Sequence, residues 1–148
     1  MYNKYIKIKS FIFEIIANDK YILEINRVNK IKEENSNQIC KIASEEILKY
    51  FNKEISNINI EYLLQGTDFQ KMVWNALLNI PYGKTLTYKE IAILINKPKA
   101  VRAVANAISK NKLLIIIPCH RVIGSNGSLT GFRGGLDLKE HLINLEKS

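Results

Sequence analysis

Apolar and polar residues alternate, imperfectly, along the first part of the chain. YIKIKSFIFEII and KYILEINRV lie on either side of the turn-prone Ala17-Asn18-Asp19. This two-residue period predicts an antiparallel hairpin with strands near 5–16 and 20–27. NKIKEENSN is polar throughout and reads as a loop. The period then lengthens. Ile39, Ala43, Ile47 and Tyr50/Phe51 fall on one face of a helix over 37–52, for which Ser36 or Asn37 is the cap. NINIEYL is a short strand or a connector. No internal repeat or low-complexity block interrupts the pattern.

The composition shifts near Leu64-Gln65-Gly66, which divides the chain into 1–64 and 65–148. Thr67-Asp68-Phe69-Gln70 is a polar start suited to capping, and Val73, Trp74, Leu77 and Leu78 supply the apolar face of the helix it opens. Ile80-Pro81-Tyr82-Gly83 ends that helix. Thr87 precedes a short helix, YKEIAILI, which NKP breaks. A third helix over 98–110 has Pro98 in its first turn. Two short helices joined by a break of three or four residues form a helix-turn-helix pattern. Ala100, Ala103, Ala105 and Ala107 make the second of them a slim rod, with Lys99 and Arg102 as its long side chains. Such a rod suits either tight core packing or close approach to another surface. LLIIIP reads as a buried strand. RVIGSNGSLTGFRGGL reads as a loop or hairpin. LDLKEHLINLEKS closes the chain as an amphipathic helix, with Leu136, Leu138, Leu142 and Leu145 inward and Asp137 in the first turn.

Charge sharpens the division. Residues 1–64 carry 10 Lys+Arg against 9 Asp+Glu, a net +1, whereas residues 65–148 carry 12 against 5, a net +7. The second part is the one that attracts a polyanion. No apolar run reaches the roughly 18–20 residues of a membrane span. The start of the chain does not have the pattern of a signal peptide, and two cysteines do not make a disulfide framework. The expected setting is the reducing cytoplasm, with Cys119 a free thiol. Two cysteines and two histidines at no metal-ligand spacing predict no metal site. Cys40 reads as a small buried apolar residue, and His141 as a surface or packing residue.

The stretch IIIPCHRVIG sets Cys119 and His120 side by side at the end of an apolar run. A cysteine is nucleophilic as its thiolate, and His120 or Arg121 can favour that form. In extended chain the two side chains point to opposite faces, so His120 needs a bend or a bridging water to act on the sulfur. A third group should orient the imidazole, and Glu146 is one candidate. Residue types alone leave a cysteine hydrolase, a redox thiol and plain coincidence open.

PCHRV resembles the active-site signature of the O6-alkylguanine-DNA alkyltransferases, and the likeness runs through FQKMVWNALLNIPYGKTLTYKEIA, PKAVRAVANAISKN and IIIPCHRVIGSNGSLTGFRGGLDLKEHLINLE. It implies an α+β fold: a small N-terminal antiparallel sheet with a helix (ribonuclease H-like), then a winged helix-turn-helix domain over 65–148. It implies DNA repair by one-step, irreversible alkyl transfer from O6-alkylguanine in duplex DNA, with O4-alkylthymine a second candidate substrate. The protein would act as a monomer, with no cofactor and no membrane partner.

By resemblance Cys119 is the alkyl acceptor, His120 a base acting through water, and Glu146 the end of the relay. Asn111 braces the turn below the site, and Tyr88 crowds the target phosphate and assists departure of guanine. Arg102 is a finger that fills the vacated base stack. The alanine-rich helix enters the minor groove, with Ala103, Lys99, Tyr88 and Arg121 among the DNA contacts. Val122, Phe132, Arg133 and Gly134 outline the base pocket, into which the nucleotide must be flipped. Phe132 stands where the family often has tyrosine, and Arg133 where it often has a smaller residue. Arg133 is expected to narrow the pocket for bulky adducts.

Overall fold

The computed structural model describes residues 1–148. It divides into two compact units: Met1–Gln65 with Lys112–Leu114, and Gly66–Asn111 with Ile115–Ser148.

The first unit holds β1 (Tyr2–Ile8), β2 (Phe11–Ala17), β3 (Ile22–Val28) and α1 (Gln38–Phe51). The strands form an antiparallel meander in the order β1-β2-β3. The stretch expected as one strand over 5–16 is therefore two. Ile8 pairs with Phe11 across a two-residue turn in which Lys9 adopts a left-handed φ of 55°. Lysine carries no turn signal of the kind that Gly or Asn gives, so the alternation runs through the turn unmarked. β2 is central and buries Phe11, Phe13, Ile15 and Ala17 on one face. Against that sheet α1 buries Cys40, Ala43, Ile47, Tyr50 and Phe51, with the Phe13 and Phe51 rings 5.9 Å apart. Asn37 is its cap, accepting from Cys40 N at 2.9 Å. NINIEYL forms no strand and contributes only a single bridge, Tyr62 to Ile22.

The second unit holds α2 (Asp68–Leu77), β4 (Leu86–Thr87), α3 (Tyr88–Leu94), α4 (Val101–Ser109), a 3-10 turn (Cys119–Arg121), β5 (Val122–Ile123) and α5 (Leu136–Lys147). Thr67 with Gln70, and Thr87 with Glu90, make reciprocal capping boxes at α2 and α3. Each cap contributes about 1 kcal/mol. Val73, Trp74 and Leu77 face inward, and Trp74 Nε1 donates to Ala107 O at 2.9 Å, tying α2 to α4. Leu78, expected on the same face, is 39% exposed, and Ile80 is buried in its place. The helix has ended at Leu77, so the 3.6-residue period no longer sets the direction of the side chains beyond it.

α4 begins at Val101, not at Pro98. Asn96 ends α3 with φ 62°, Lys97 N bonds back to Ala92 O, and Ala100 N bonds to Lys97 O, so Pro98 and Lys99 lie in a turn. LLIIIP is not a strand. Only Leu113 makes a bridge, to Ile25, and the chain then turns at Ile115 with φ 74°. Burial of the whole run gave a strand's signal for what is a buried turn. A β-branched residue in the left-handed region is strained, and here the strain lies just upstream of Cys119. β4 and β5 pair in parallel, Leu86 with Val122 and Thr87 with Ile123. α5 buries Leu138, Lys139, Leu142, Ile143 and Glu146, while Leu136 is 51% exposed. No helix is long and apolar enough to cross a membrane.

Candidate active site

Cys119 opens the 3-10 turn directly after Pro118. Its amide donates to Ile117 O at 2.7 Å and its side chain is enclosed, with the residue 1% exposed. Asn111, just beyond α4, lies buried beneath it. One amide nitrogen, Asn111 Nδ2, donates both to Ile117 O at 3.0 Å and to Cys119 Sγ at 3.1 Å. The carboxamide thus fixes the strained turn and the thiol together.

The turn also rotates His120 away from an extended arrangement. Its Nε2 meets Glu146 Oε2 at 2.7 Å, and the ring is fully buried. Glu146 is held from a second side by Arg121: Nε donates to Oε1 at 2.8 Å and Nη2 to Oε2 at 2.9 Å. Arg121 Nη1 donates to Ile80 O at 2.7 Å. A carboxylate gripped by a guanidinium stays ionised, so it takes the proton of Nε2 as a hydrogen-bond donor. That leaves Nδ1 with its lone pair, and Nδ1 is buried without a hydrogen-bond partner in the protein. A buried basic nitrogen left without a partner, on the residue that follows the cysteine, is free to take a proton.

Burial governs the resting charges. It pushes the Cys119 thiol up to about 11, against smaller opposing effects of Asn111, Lys139 and Arg133. Burial also lowers His120, and the bond to Glu146 only partly offsets this. At neutral pH the pair rests as thiol and neutral imidazole, and the thiolate has to be generated on demand.

Tyr88 begins α3, half-buried, and its hydroxyl donates to Thr130 O at 2.8 Å. Burial raises its pKa, so it holds its proton. Gly131, at φ 65°, passes so close that a Cβ there would stand 3.1 Å from the Tyr88 hydroxyl. Arg133 Nη1 donates to Asn111 O at 2.9 Å, which ties the loop carrying Phe132 and Gly134 to the base of the site. Thr130, Gly131, Phe132, Arg133 and the end of α4 at Ser109 border a cleft of about 410 Å³.

The structure brings Cys119, His120, Glu146 and Asn111 into one buried cluster, with Val122 directly after the turn. Arg121 does not lie on the surface, where a DNA contact requires it. It is 7% exposed and is bound to Glu146 and Ile80, because a buried carboxylate needs a partner. Lys99, Arg102 and Ala103 stand apart from this cluster, exposed around the start of α4. His141 is half-buried on α5.

Sequence reasoning missed Lys139. It is fully buried, and Nζ donates to Val122 O at 2.5 Å and to Thr130 O at 3.0 Å. Its signal was present: Lys139, Leu142, Ile143 and Glu146 recur at helical spacing on one face of α5, so both charges sit on the inward stripe.

A family model described as 6-O-methylguanine DNA methyltransferase, DNA binding domain, matches residues 68–148. The methylated-DNA–protein-cysteine methyltransferase of Methanosarcina barkeri is 53% identical over 106 residues, which are 72% of this chain and 67% of that protein. The inducible enzyme of that name from Bacillus subtilis is 55% identical over 102 residues, 69% of this chain and 57% of its own length. Among solved structures, Mycobacterium tuberculosis OGT in complex with DNA aligns with a TM-score of 0.90 at 36% identity, covering 99% of this chain and 93% of the other. The chain belongs to the methylated-DNA–protein-cysteine methyltransferase family.

Proposed function

We propose that this protein repairs duplex DNA by moving the alkyl group of O6-alkylguanine onto Cys119 Sγ, once per molecule. The observation that carries the reading is the buried linkage of Cys119, His120 and Glu146, with His120 Nδ1 left as a base. The reactive carbon is inside the base stack, so the nucleotide must leave the duplex to meet a thiol that is itself enclosed.

The thiol proton passes to His120 Nδ1 through a bridging water. Glu146, held ionised by Arg121, stabilises the imidazolium that forms. The sulfur then attacks the alkyl carbon: an S–C bond forms, the C–O bond breaks, and the electron pair stays on the guanine oxygen. Tyr88 donates a proton or hydrogen bond to the departing base, and the histidine's proton returns to the Tyr88 side through solvent. The sum is thiol plus alkylguanine giving thioether plus guanine, with no net charge made. A thioether is not undone by water or by thiol exchange, so the protein is spent.

Arg102, Ala103 and Lys99 form the minor-groove contact, in which small side chains allow close approach and Arg102 fills the vacated stack. The protein acts as a monomer. Arg133, bound to Asn111 and bordering the cleft, limits the alkyl groups accepted. O6-benzylguanine is then expected to react far more slowly than O6-methylguanine, and equal rates would refute that limit.

The deciding experiment is intact mass after incubation with duplex DNA carrying one O6-methylguanine. The expected result is a gain of one methylene per chain, mapped to the Cys119 peptide and absent in Cys119→Ser. No gain with DNA binding retained would make the protein a damage binder.

A further inference from the structure

We propose that Lys139 is the counter-ion of the Cys119 thiolate, held in the pocket to meet a negative charge that exists only while the reaction proceeds. The proposal rests on Cys119 being the alkyl acceptor. Two cations are buried in the second unit, and they are treated differently. Arg121 has a carboxylate, Glu146, on two of its nitrogens. Lys139 has none. Its ammonium donates to two main-chain carbonyls, Val122 O and Thr130 O, and stands 5.9 Å from the centroids of the Tyr88 and Phe132 rings. Carbonyls and ring faces solvate a cation only in part, so a fully enclosed ammonium without a counter-charge is costly.

The missing charge has an evident source. Val122 and the 3-10 turn are continuous with Cys119, and α5 packs on that turn. The titratable groups around the ammonium are Cys119 and His120 on the turn and Tyr88 at the start of α3. Cys119 and Lys139 each favour the charged form of the other. At rest burial lowers Lys139 to about 8 and raises the thiol to about 11, the pattern of two groups that each lack an opposite charge. Moving the thiol proton to His120 supplies the anion, and the resting cost of the lone ammonium is relieved as the nucleophile forms. Transfer of the alkyl group makes the sulfur neutral again.

The same ammonium also clips the loop, since Thr130 O accepts from both Lys139 and Tyr88. Three variants separate charge from clip. Lys139→Gln keeps donors and removes the charge, Lys139→Met removes both, and Lys139→Arg keeps both. The slow carbamidomethylation of the enclosed Cys119 by excess iodoacetamide is followed by peptide mass from about pH 6 to about pH 10, beside single-turnover methyl transfer. In Lys139→Gln and Lys139→Met both rates are expected to fall about tenfold at neutral pH, and the gap to the parent to narrow above about pH 9, where the parent's own Lys139 has lost its charge. Lys139→Arg should stay near the parent. Unchanged rates in Gln and Met at neutral pH, or an Arg variant slowed as far as Gln, would overturn the proposal. Should these variants not fold, the titration of Lys139 Nζ followed by NMR in the parent protein and in Cys119→Asp, whose carboxylate is a permanent anion at the same place, decides. The aspartate should raise its midpoint, and an unchanged midpoint refutes the counter-ion. If the parent carries its methyl elsewhere than on Cys119, the acceptor assignment fails first, and the two failures are told apart.

Discussion

The two units bury different kinds of residue. In the first, the interior is apolar: Phe13, Ile15, Ile25 and Ile47 are fully enclosed, and Ser44 is the one buried polar residue. In the second, Asn111, His120, Arg121, Lys139 and Glu146 are all buried. Apolar burial stabilises without regard to pH. A buried polar cluster stabilises only while each member keeps its partner and its protonation state. The first unit therefore devotes its interior to stability, and the second places its reactive groups where water cannot compete with them.

That contrast can be broken in four ways. Arg121→Ala removes the partner of a buried carboxylate, and unfolding in urea should show a loss of about 3–5 kcal/mol, together with methyl transfer. In the first unit, Ile47→Ala should cost roughly 2–5 kcal/mol by the same measurement, while the transfer rate per folded molecule stays unchanged. A loss of transfer beyond the loss of folded protein would end the separation of roles. Arg102→Ala is exposed and touches neither interior. It should slow repair of duplex DNA about tenfold, equivalent to about 1.4 kcal/mol, and spare reaction with a free base analogue. Equal losses on both substrates would remove Arg102 as the finger.

The smallest effect concerns acid. Burial lowers the folded-state pKa of His120, so the unfolded chain binds the proton more readily. Stability is then fully present above the ordinary histidine value, about 6.5, and is lost as pH falls below it. The urea midpoint should drop between about pH 7 and pH 5.5, and His120→Asn should flatten that drop. A parent curve that is level over this range would show that His120 binds its proton equally well in the folded and the unfolded chain.

Much of this was legible in the sequence, and the failures have physical causes. Thr67, Thr87 and Asn37 announce their helices because a cap is a local event. α2 and α1 are evident from period alone. The Lys9–Ser10 turn and the Ile115 turn were not legible, since neither contains the glycine or asparagine that a left-handed residue usually demands. Cys119 and His120 stood out by their residue types, and PCHRV supplied the rest by resemblance. Arg121, expected by resemblance among the DNA contacts, is buried instead. Only the fold brings Glu146, twenty-five residues away, to its side. Lys139 stands on the inward stripe of α5 by its spacing, but its partners are backbone carbonyls, so no residue in the sequence marks what holds it.

The enclosure of Cys119 also bears on how long an unused molecule keeps. A protein consumed by its own product must not be consumed by anything else first. Peroxides, disulfides and stray electrophiles react with thiolates that they can reach. Here the sulfur is 1% exposed and protonated well past neutral pH. The reagent is thus stored capped, and only a lesion that enters the pocket removes the cap. Shelf life and reactivity, which oppose one another in an open cysteine, are set at different moments in this one.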